Sequence, residues 1–230
     1  MITHLLTDDD LHADHIDITG DAYRHLFRAR RLAKDARLRI IDGHGNARWG
    51  TVVTIDKKHA RVALDTVAPA NEPTYELHLI VAVPRSERAS WLVEKATELG
   101  VHAIHFIASA RTPRQPGDAT LERWRRVARA AVEQSHRARV PDITGIHPWS
   151  AIDPWLHHDA KWILDEATDK GVDLQAQGPS GVVAIGPEGG WTDPERNQLK
   201  ALGCRPVSLG PRILRVETAA LAATARILVG

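Results

Sequence analysis

Beyond residue 73 the chain alternates short, continuous apolar runs with segments in which apolar residues recur at helical spacing. Continuous apolar runs are typical of strands buried on both faces, and strands that alternate with helices indicate a mostly parallel sheet. The predicted strands are, in chain order, 77–83, 101–108, 162–164, 182–185 and 206–209. The helices are predicted at 86–99, 121–135, 192–203 and 216–229. The sequence therefore predicts an α/β domain.

Two of these helices carry start or stop signals. Ser86 is placed to cap the first helix, and Gly100 follows its last apolar residue. Thr192 and Glu195 have the spacing of a capping box, in which each side chain binds the other residue's backbone N–H. These signals predict helices that begin close to 86 and 192.

The first 70 residues have a different pattern, mostly β with one short helix from Thr19 to about Arg30. A turn signal at 42–46 separates the predicted strands 38–41 and 51–55, and 61–64 is another candidate strand. Short strands around tight turns indicate a small barrel. Two prolines and an asparagine within 67–73 indicate a boundary, which gives domains 1–70 and 74–230.

Composition excludes several classes of protein. With 43% hydrophobic and 26% charged residues, the chain can build a sizeable core, which argues against disorder. The first residues lack a basic and an apolar region of a secretory signal, and no stretch approaches the length of a membrane span. The single cysteine, Cys204, allows neither an internal disulfide nor a cysteine metal cluster. We therefore expect a cytoplasmic protein without a membrane partner.

The thirteen histidines do not form a metal-binding motif in the sequence. His157 and His158 are adjacent and would diverge in a helix or a strand, and no H-E-x-x-H array accompanies them. His136 is interpreted as a surface residue or an RNA contact. We therefore expect no metal site. Three tryptophans on apolar stripes are predicted to pack in the core: Trp91, Trp124 and Trp162.

Basic residues form two clusters although the net charge is only +1. The first cluster contains Arg24, Arg28, Arg30, Arg31, Lys34, Arg37 and Arg39. The second contains Arg123, Arg125, Arg126, Arg129, Arg137 and Arg139. A solvated helix face explains either cluster alone, but two together favour a partner that carries phosphates, because arginine forks match phosphate oxygens.

Two segments near the end of the chain carry the strongest functional signal. IGPEGG at 185–190 and LGPRILRVETA at 209–219 each follow a predicted strand and lead into a predicted helix. Glycine at such a bend lets a ligand approach the backbone, and open α/β sheets place their sites at the carboxyl ends of strands. The spacing matches neither a dinucleotide fold nor a P-loop, and no G-x-S-x-G elbow is present. Ile213 and Leu214 are candidates for the walls of an apolar slot that holds an adenine ring.

These two segments, together with EKATELG at 94–100 and EQS at 133–135, resemble the RsmE family of SPOUT-class methyltransferases. The N-terminal region resembles the family's PUA-like barrel through His25, Leu26, Arg31, Leu32 and the D-G-x-G pattern at 42–45, but it departs from the family at 33–36. The resemblance covers nearly the whole chain. It implies methylation of N3 of a uridine in the 16S ribosomal RNA of the small subunit.

The resemblance also implies S-adenosylmethionine as methyl donor, a parallel sheet with a C-terminal trefoil knot, and a homodimer whose sites lie near the partner subunit. The residues expected to surround the cofactor are Leu164, Gly186, Glu188, Leu209, Gly210, Ile213, Leu214, Arg215, Thr218 and Ala219. RNA is expected to contact Arg24, Arg28, Arg30, Arg31 and Arg137.

The chemistry of uridine N3 suggests the catalytic residues. N3 carries a proton and is a poor nucleophile until that proton is lost, so a general base is needed. Glu217 is the nearest candidate, and the alternative is a structural carboxylate at a helix N-terminus. An ion pair with an arginine would make Glu217 a weaker base. Arg215 or Arg111 is the candidate to stabilise negative charge on O2 or O4 of the uracil.

Two other functions are compatible with the sequence. One is a SPOUT methyltransferase with another RNA target, such as a ribose 2′-OH in tRNA. The other is a non-catalytic RNA-binding assembly factor with a vestigial pocket, although the complete motifs at 186–190 and 209–219 argue against decay.

Overall fold

The computed structural model of the protein describes residues 1–6, 11–84, 86–112, 117–166, 168 and 174–229. The chain divides into two compact units. The first comprises Met1–Glu72 and Val132–Val140, and the second comprises Pro73–Ala131 and Pro141–Gly230. The segment Val132–Val140 therefore packs with the N-terminal unit, although the boundary drawn from the prolines assigns it to the C-terminal domain.

The first unit is built on a five-stranded sheet in the order β1-β3-β4-β5-β2. Its strands are β1 (Thr3–Leu5), β2 (His15–Ile18), β3 (Arg37–Ile41), β4 (Ala47–Ile55) and β5 (Ala60–Val67). β1 and β3 are parallel, and the other pairs are antiparallel. The predicted helix is present as α1 (Gly20–Tyr23) and a π-helical segment (Arg24–Ala29), but the Thr19 side chain makes no capping hydrogen bond.

Arg39 of the first basic cluster has a structural role. Only 1% of it is exposed, and its guanidinium donates hydrogen bonds to the backbone oxygens of Pro69, Ala70 and His136. A buried guanidinium needs such acceptors, because an unpaired buried charge is strongly destabilising. Arg39 therefore connects β3 to the backbone at 69–70 and at 136, and its guanidinium is not available to a phosphate.

The second unit is built on a six-stranded parallel sheet in the order β11-β9-β10-β6-β7-β8. Its strands are β6 (Glu76–Ala82), β7 (Ala103–Ala108), β8 (Asp142–Pro148), β9 (Ala160–Leu164), β10 (Ser180–Ile185) and β11 (Arg205–Val207). Its helices are α2 (Ser86–Glu98), α3 (Asp118–Ser135), α4 (Asp193–Ala201) and α5 (Val216–Leu228). The five predicted strands are confirmed. The edge strand β8 was not predicted, because it contains a glycine and a proline and lacks a continuous apolar run.

The helix signals are confirmed where the structure describes them. The Thr192 hydroxyl accepts a hydrogen bond from the Glu195 backbone N–H, and the Glu195 carboxylate accepts one from the Thr192 backbone N–H. α2 ends before Gly100, which adopts a positive φ of 101°. The Ser86 side chain, predicted as the cap of α2, lies outside the described residues. Among the helices of the described ranges, none is both long and apolar enough to cross a membrane.

The prediction for the tryptophans is partly wrong. Trp124 and Trp162 are fully buried, as expected, but 46% of Trp91 is exposed. The buried stripe of α2 passes through Ala89, Leu92 and Ala96, and Trp91 lies on another side of the helix. An aromatic residue next to a buried stripe is thus not necessarily part of it.

Candidate active site

A pocket forms where β9, β10 and β11 end side by side. Their carboxyl ends and the following loops, together with the first turn of α5, enclose it. The pocket brings together most of the predicted residues: Leu164, Gly186, Glu188, Leu209, Gly210, Ile213, Leu214 and Ala219. Arg215 and Thr218 do not line it. They line an adjoining depression, which Ile213 and Leu214 share with Trp91 and Glu217.

The pocket also contains residues that were not predicted as cofactor contacts. These are Asp165, Glu166, Ile185, Pro187, Gly190, Trp191, Arg196, Val207, Ser208, Arg212 and Val216. Asp165 and Glu166 directly follow β9, so the rule that sites lie at the carboxyl ends of strands could have identified them. Arg196 lies in the middle of α4, and no signal in the sequence connects it with the site.

Trp191 forms one wall of the pocket. It is buried, and its indole N–H donates a hydrogen bond to the Leu164 backbone oxygen (3.2 Å). The ring lies so close to Gly186 that a Cβ at this position would come within 3.1 Å of it. A side chain at position 186 would therefore require the tryptophan ring to shift by a few tenths of an ångström.

Asp165 and Arg196 form a largely buried ion pair at the base of the pocket. The Arg196 Nε lies 2.8 Å from the Asp165 carboxylate, and the Asp165 backbone N–H donates to the Val207 oxygen. This backbone bond links the end of β9 to the end of β11. Two other carboxylates, Glu166 and Glu188, also line the pocket, together with Arg212.

The loop between β10 and α4 is held by contacts on both sides. The Gly190 backbone N–H donates to the Pro187 oxygen, which closes a tight turn. Arg111 donates from Nη1 to the Gly189 oxygen at 2.5 Å. The Glu195 carboxylate accepts the Ala110 backbone N–H at 2.8 Å, so the chain after β7 is connected to the start of α4. The guanidinium of Arg111 thus lies beside the loop of the pocket.

Glu217 lies in the first turn of α5 and is 7% exposed. Its Oε1 is 3.7 Å from the Nε of Arg88, and the same arginine contacts Glu188 at 3.3 Å. Its Oε2 is buried and has no hydrogen-bond partner in the described part of the chain. A buried carboxylate oxygen without a partner is rare and requires an explanation. Arg88 therefore orients one oxygen of the carboxylate, and the other oxygen makes no hydrogen bond within the described residues.

The loop that follows β11 is open. Gly210 has a positive φ of 104°, and the Ser208 hydroxyl bonds to its backbone. Ile213 is 86% exposed although it lines the pocket, so its side chain stands at the rim. Leu214 is partly buried. The two side chains predicted to form an apolar slot thus differ, with Leu214 inside and Ile213 at the opening.

The predicted RNA contacts in the first unit divide into two groups. Arg24, Arg28, Arg30 and Arg31 are exposed. Arg137 is only 3% exposed, and its guanidinium pairs with both carboxylate oxygens of Glu72. The assignment of Arg137 to RNA is therefore corrected, because its side chain forms an internal ion pair with Glu72. A cluster of arginines in the sequence does not indicate which of them pair inside the protein.

Comparison with known proteins agrees with this arrangement. The model of an RNA methyltransferase domain matches residues 70–228, and that of an RNA methyltransferase PUA domain matches residues 18–65. The chain belongs to the ribosomal RNA small subunit methyltransferase E family. The relative from Mycobacterium bovis is 33% identical, over 90% of this chain and 83% of its own length. The relative from Synechocystis is 32% identical, over 92% of this chain and 72% of its own length.

A solved member of the family has the same fold. The methyltransferase E of Neisseria gonorrhoeae, bound to S-adenosyl methionine, superposes with a TM-score of 0.87 at 28% identity. The match covers 98% of this chain and 96% of that one. The resemblance read from the motifs at 186–190 and 209–219 is thus confirmed at the level of the family.

Proposed function

We propose that this protein transfers a methyl group from S-adenosylmethionine to N3 of a specific uridine in the 16S RNA of the small ribosomal subunit. The observation that carries this proposal is the pocket at the joined ends of β9, β10 and β11, in a chain that belongs to the methyltransferase E family. A ribosomal substrate also favours a cytoplasmic location.

The residues of the pocket suit this cofactor. The side chains of Leu164, Ile185 and Leu214 offer an apolar surface to an adenine ring, and backbone groups of the glycine-containing loops can bind its edge. The carboxylates of Glu166 and Glu188 suit a ligand with positive charge. When bound, S-adenosylmethionine supplies an electrophilic methyl group. The proposed cofactor residues are those predicted from the sequence, with Arg215 and Thr218 at the adjoining depression.

Glu217 is proposed to accept the N3 proton of the target uridine. Arg88 contacts one carboxylate oxygen, and the other is buried without a hydrogen-bond partner in the described ranges, so no donor there competes for it. The pairing distance of 3.7 Å between Arg88 and Glu217, longer than a hydrogen bond, favours this role over a tight ion pair. Arg215 and Arg111 are proposed to stabilise negative charge on the uracil oxygens.

Gly186→Ala tests the pocket. The added methyl group would press against the Trp191 ring, and overpacking of this kind costs about 1–3 kcal/mol. We expect the affinity for S-adenosylmethionine, measured by calorimetry, to fall about tenfold, which corresponds to about 1.4 kcal/mol. Transfer of labelled methyl groups to small subunits that lack the modification should fall when the cofactor is limiting.

Gly117→Ala is the matched control, because a Cβ at position 117 meets nothing within 4 Å. It should leave cofactor affinity and methyl transfer unchanged. If Gly186→Ala binds the cofactor as well as Gly117→Ala does, the pocket at the strand ends is not the cofactor site.

RNA is proposed to bind the exposed arginines of the first unit. Replacing Arg28, Arg30 and Arg31 with alanine should weaken RNA binding. On single-stranded RNA, the slope of log affinity against log salt should fall by about 0.7 for each phosphate that the variant no longer neutralises. Arg61→Ala is the control, because this exposed arginine is paired with Asp17 on the neighbouring strand. A triple variant with an unchanged salt slope would contradict the assignment.

A trefoil knot and a homodimer are part of the proposal. The sheet order β11-β9-β10 supports the knot, because the chain goes from β9 to β10 and returns across β9 to form β11. The exposed side chains of Trp91 and Ile213, which share a depression beside Glu217, support a partner subunit at the site.

The rival functions give different results in the transfer assay. A methyltransferase for tRNA would label tRNA and leave small subunits unlabelled. An assembly factor with a vestigial pocket would bind small subunits without binding S-adenosylmethionine.

A further inference from the structure

Four histidine side chains gather near the amino end of the parallel sheet, at the opposite end from the pocket. His78 lies on β6, His102 directly precedes β7, His105 lies on β7, and His158 lies two residues before β9. The His78 ring centroid is 5.2 Å from that of His102, 5.5 Å from that of His105 and 4.2 Å from that of His158. In the parallel register His78 lies opposite Val182, three residues before the end of β10, so about 10 Å of strand separates it from the pocket.

We propose that Glu76, His78 and His102 bind a divalent transition metal ion such as Zn²⁺. One ligand atom from each residue lies within 4.8 Å of the other two. Ligand atoms of a tetrahedral zinc site, at bond lengths of about 2.0–2.1 Å, are about 3.3 Å apart. Small side-chain rotations therefore bring the three groups to coordination distance. Imidazole and carboxylate ligands together suit zinc, nickel, cobalt or copper.

The pairing of β6 with β7 explains why these residues meet. His78 lies opposite Ala103 in the parallel register, so His102 is adjacent to it across the strands. Glu76 is two residues before His78 and points to the same face of the sheet, since side chains alternate along a strand. Glu76 is exposed, and both histidines are partly buried, so an ion can enter from solvent.

A chain of hydrogen bonds supports His78 as a ligand. The Nδ1 of His78 lies 3.2 Å from Nε2 of His105, and Nδ1 of His105 lies 2.8 Å from the hydroxyl oxygen of Thr144. When His78 donates to His105 and His105 donates to Thr144, Nε2 of His78 presents its lone pair to a metal. Metal-binding histidines usually donate their other N–H in this way, which fixes the orientation of the ring.

His158 packs against the ligand His78. Its ring is 4.2 Å from that of His78, and its Nδ1 contacts the Ser180 hydroxyl at 3.2 Å. The hydrogen bond with Ser180 fixes the orientation of the His158 ring and does not involve its Nε2. Because the ligands come from β6 and from the residue that precedes β7, the ion would join these two neighbouring strands of the second unit.

The test is a titration of the full, untagged chain with Co²⁺, followed by the visible absorption of the bound ion. We expect one equivalent to bind with the intense bands of a four-coordinate site, and Zn²⁺ to displace it. Glu76→Gln and His102→Gln should each weaken binding at least about tenfold. Thr144→Val, which keeps the side-chain shape, should weaken it by less than either ligand substitution, because Thr144 orients His105, which in turn orients the ligand His78.

His44→Gln is the control, because this exposed histidine lies in the first unit. It should bind Co²⁺ as the unmodified chain does. Equilibrium dialysis against micromolar Zn²⁺ with elemental analysis gives the stoichiometry independently. Fewer than about 0.1 equivalents of zinc, or equal affinities for His102→Gln and His44→Gln, would overturn the proposal.

Discussion

Glu217→Gln is expected to lower the rate of methyl transfer by about 10²–10⁴-fold, which is the usual contribution of a general base. Glutamine keeps the shape of the side chain and cannot accept the N3 proton of the uridine. The substitution should leave the affinity for S-adenosylmethionine within about twofold, because Glu217 lines the adjoining depression rather than the pocket. Single-turnover transfer to small subunits and calorimetric binding of the cofactor measure the two effects separately.

Glu188→Gln is the comparison variant, because Glu188 contacts the same Arg88 but lines the pocket. It should change cofactor affinity more than the rate at saturating cofactor. If Glu217→Gln reduces affinity and rate equally, Glu217 is a structural carboxylate at the N-terminus of α5, the alternative that the sequence leaves open.

Arg137→Met is expected to destabilise the first unit by about 3–5 kcal/mol, the usual result of removing one partner of a buried ion pair. The Glu72 carboxylate receives the Arg137 guanidinium at 2.7 Å and also accepts the backbone N–H groups of Ala138 and Arg139. Without the arginine, the largely buried negative charge keeps these two backbone donors among the described residues. Urea denaturation followed by circular dichroism measures the decrease in stability.

Arg61→Met is the control, because the Arg61–Asp17 pair is exposed and such pairs contribute little. It should leave the midpoint of denaturation nearly unchanged. If Arg137→Met is as stable as Arg61→Met but binds RNA less well, Arg137 is an RNA contact and its structural role is wrong.

The fold of the second unit was largely predictable, because its parallel strands are buried on both faces and appear as continuous apolar runs. β6, β7 and β10 are of this kind. β8 lies at the edge of the sheet, has partly buried residues and escaped prediction. In the first unit, β1 has three residues and depends on pairing with β3, a contact that no local pattern indicates.

The candidate site was predictable where its residues are close together in the sequence. The loops after β10 and β11 are continuous motifs, so their residues were identified together. Residues that reach a site from a distant segment were not. Arg88 on α2 contacts Glu217 on α5, and Arg196 pairs with Asp165 from within a helix. Their types and spacing are ordinary for exposed helices, and only the tertiary structure gives them a role.

Charge and histidine clusters in the sequence were the least reliable guides. The two basic clusters contain the buried Arg39 and Arg137, whose hydrogen bonds are internal. The histidines that meet at the amino end of the sheet come from separate strands, so they form no short motif. The local sequence shows which charged and metal-binding side chains are present, and the pairing of the strands determines which of them lie in contact.

The most direct test of the proposed function is the identity of the methylated nucleoside. Small subunits that lack the modification would be incubated with this protein and S-adenosylmethionine, and their RNA would be digested and analysed by mass spectrometry. The proposal predicts one 3-methyluridine per subunit in the 16S RNA and its loss with Glu217→Gln. A 2′-O-methylated nucleoside, or no methylation while the cofactor is bound, would contradict it.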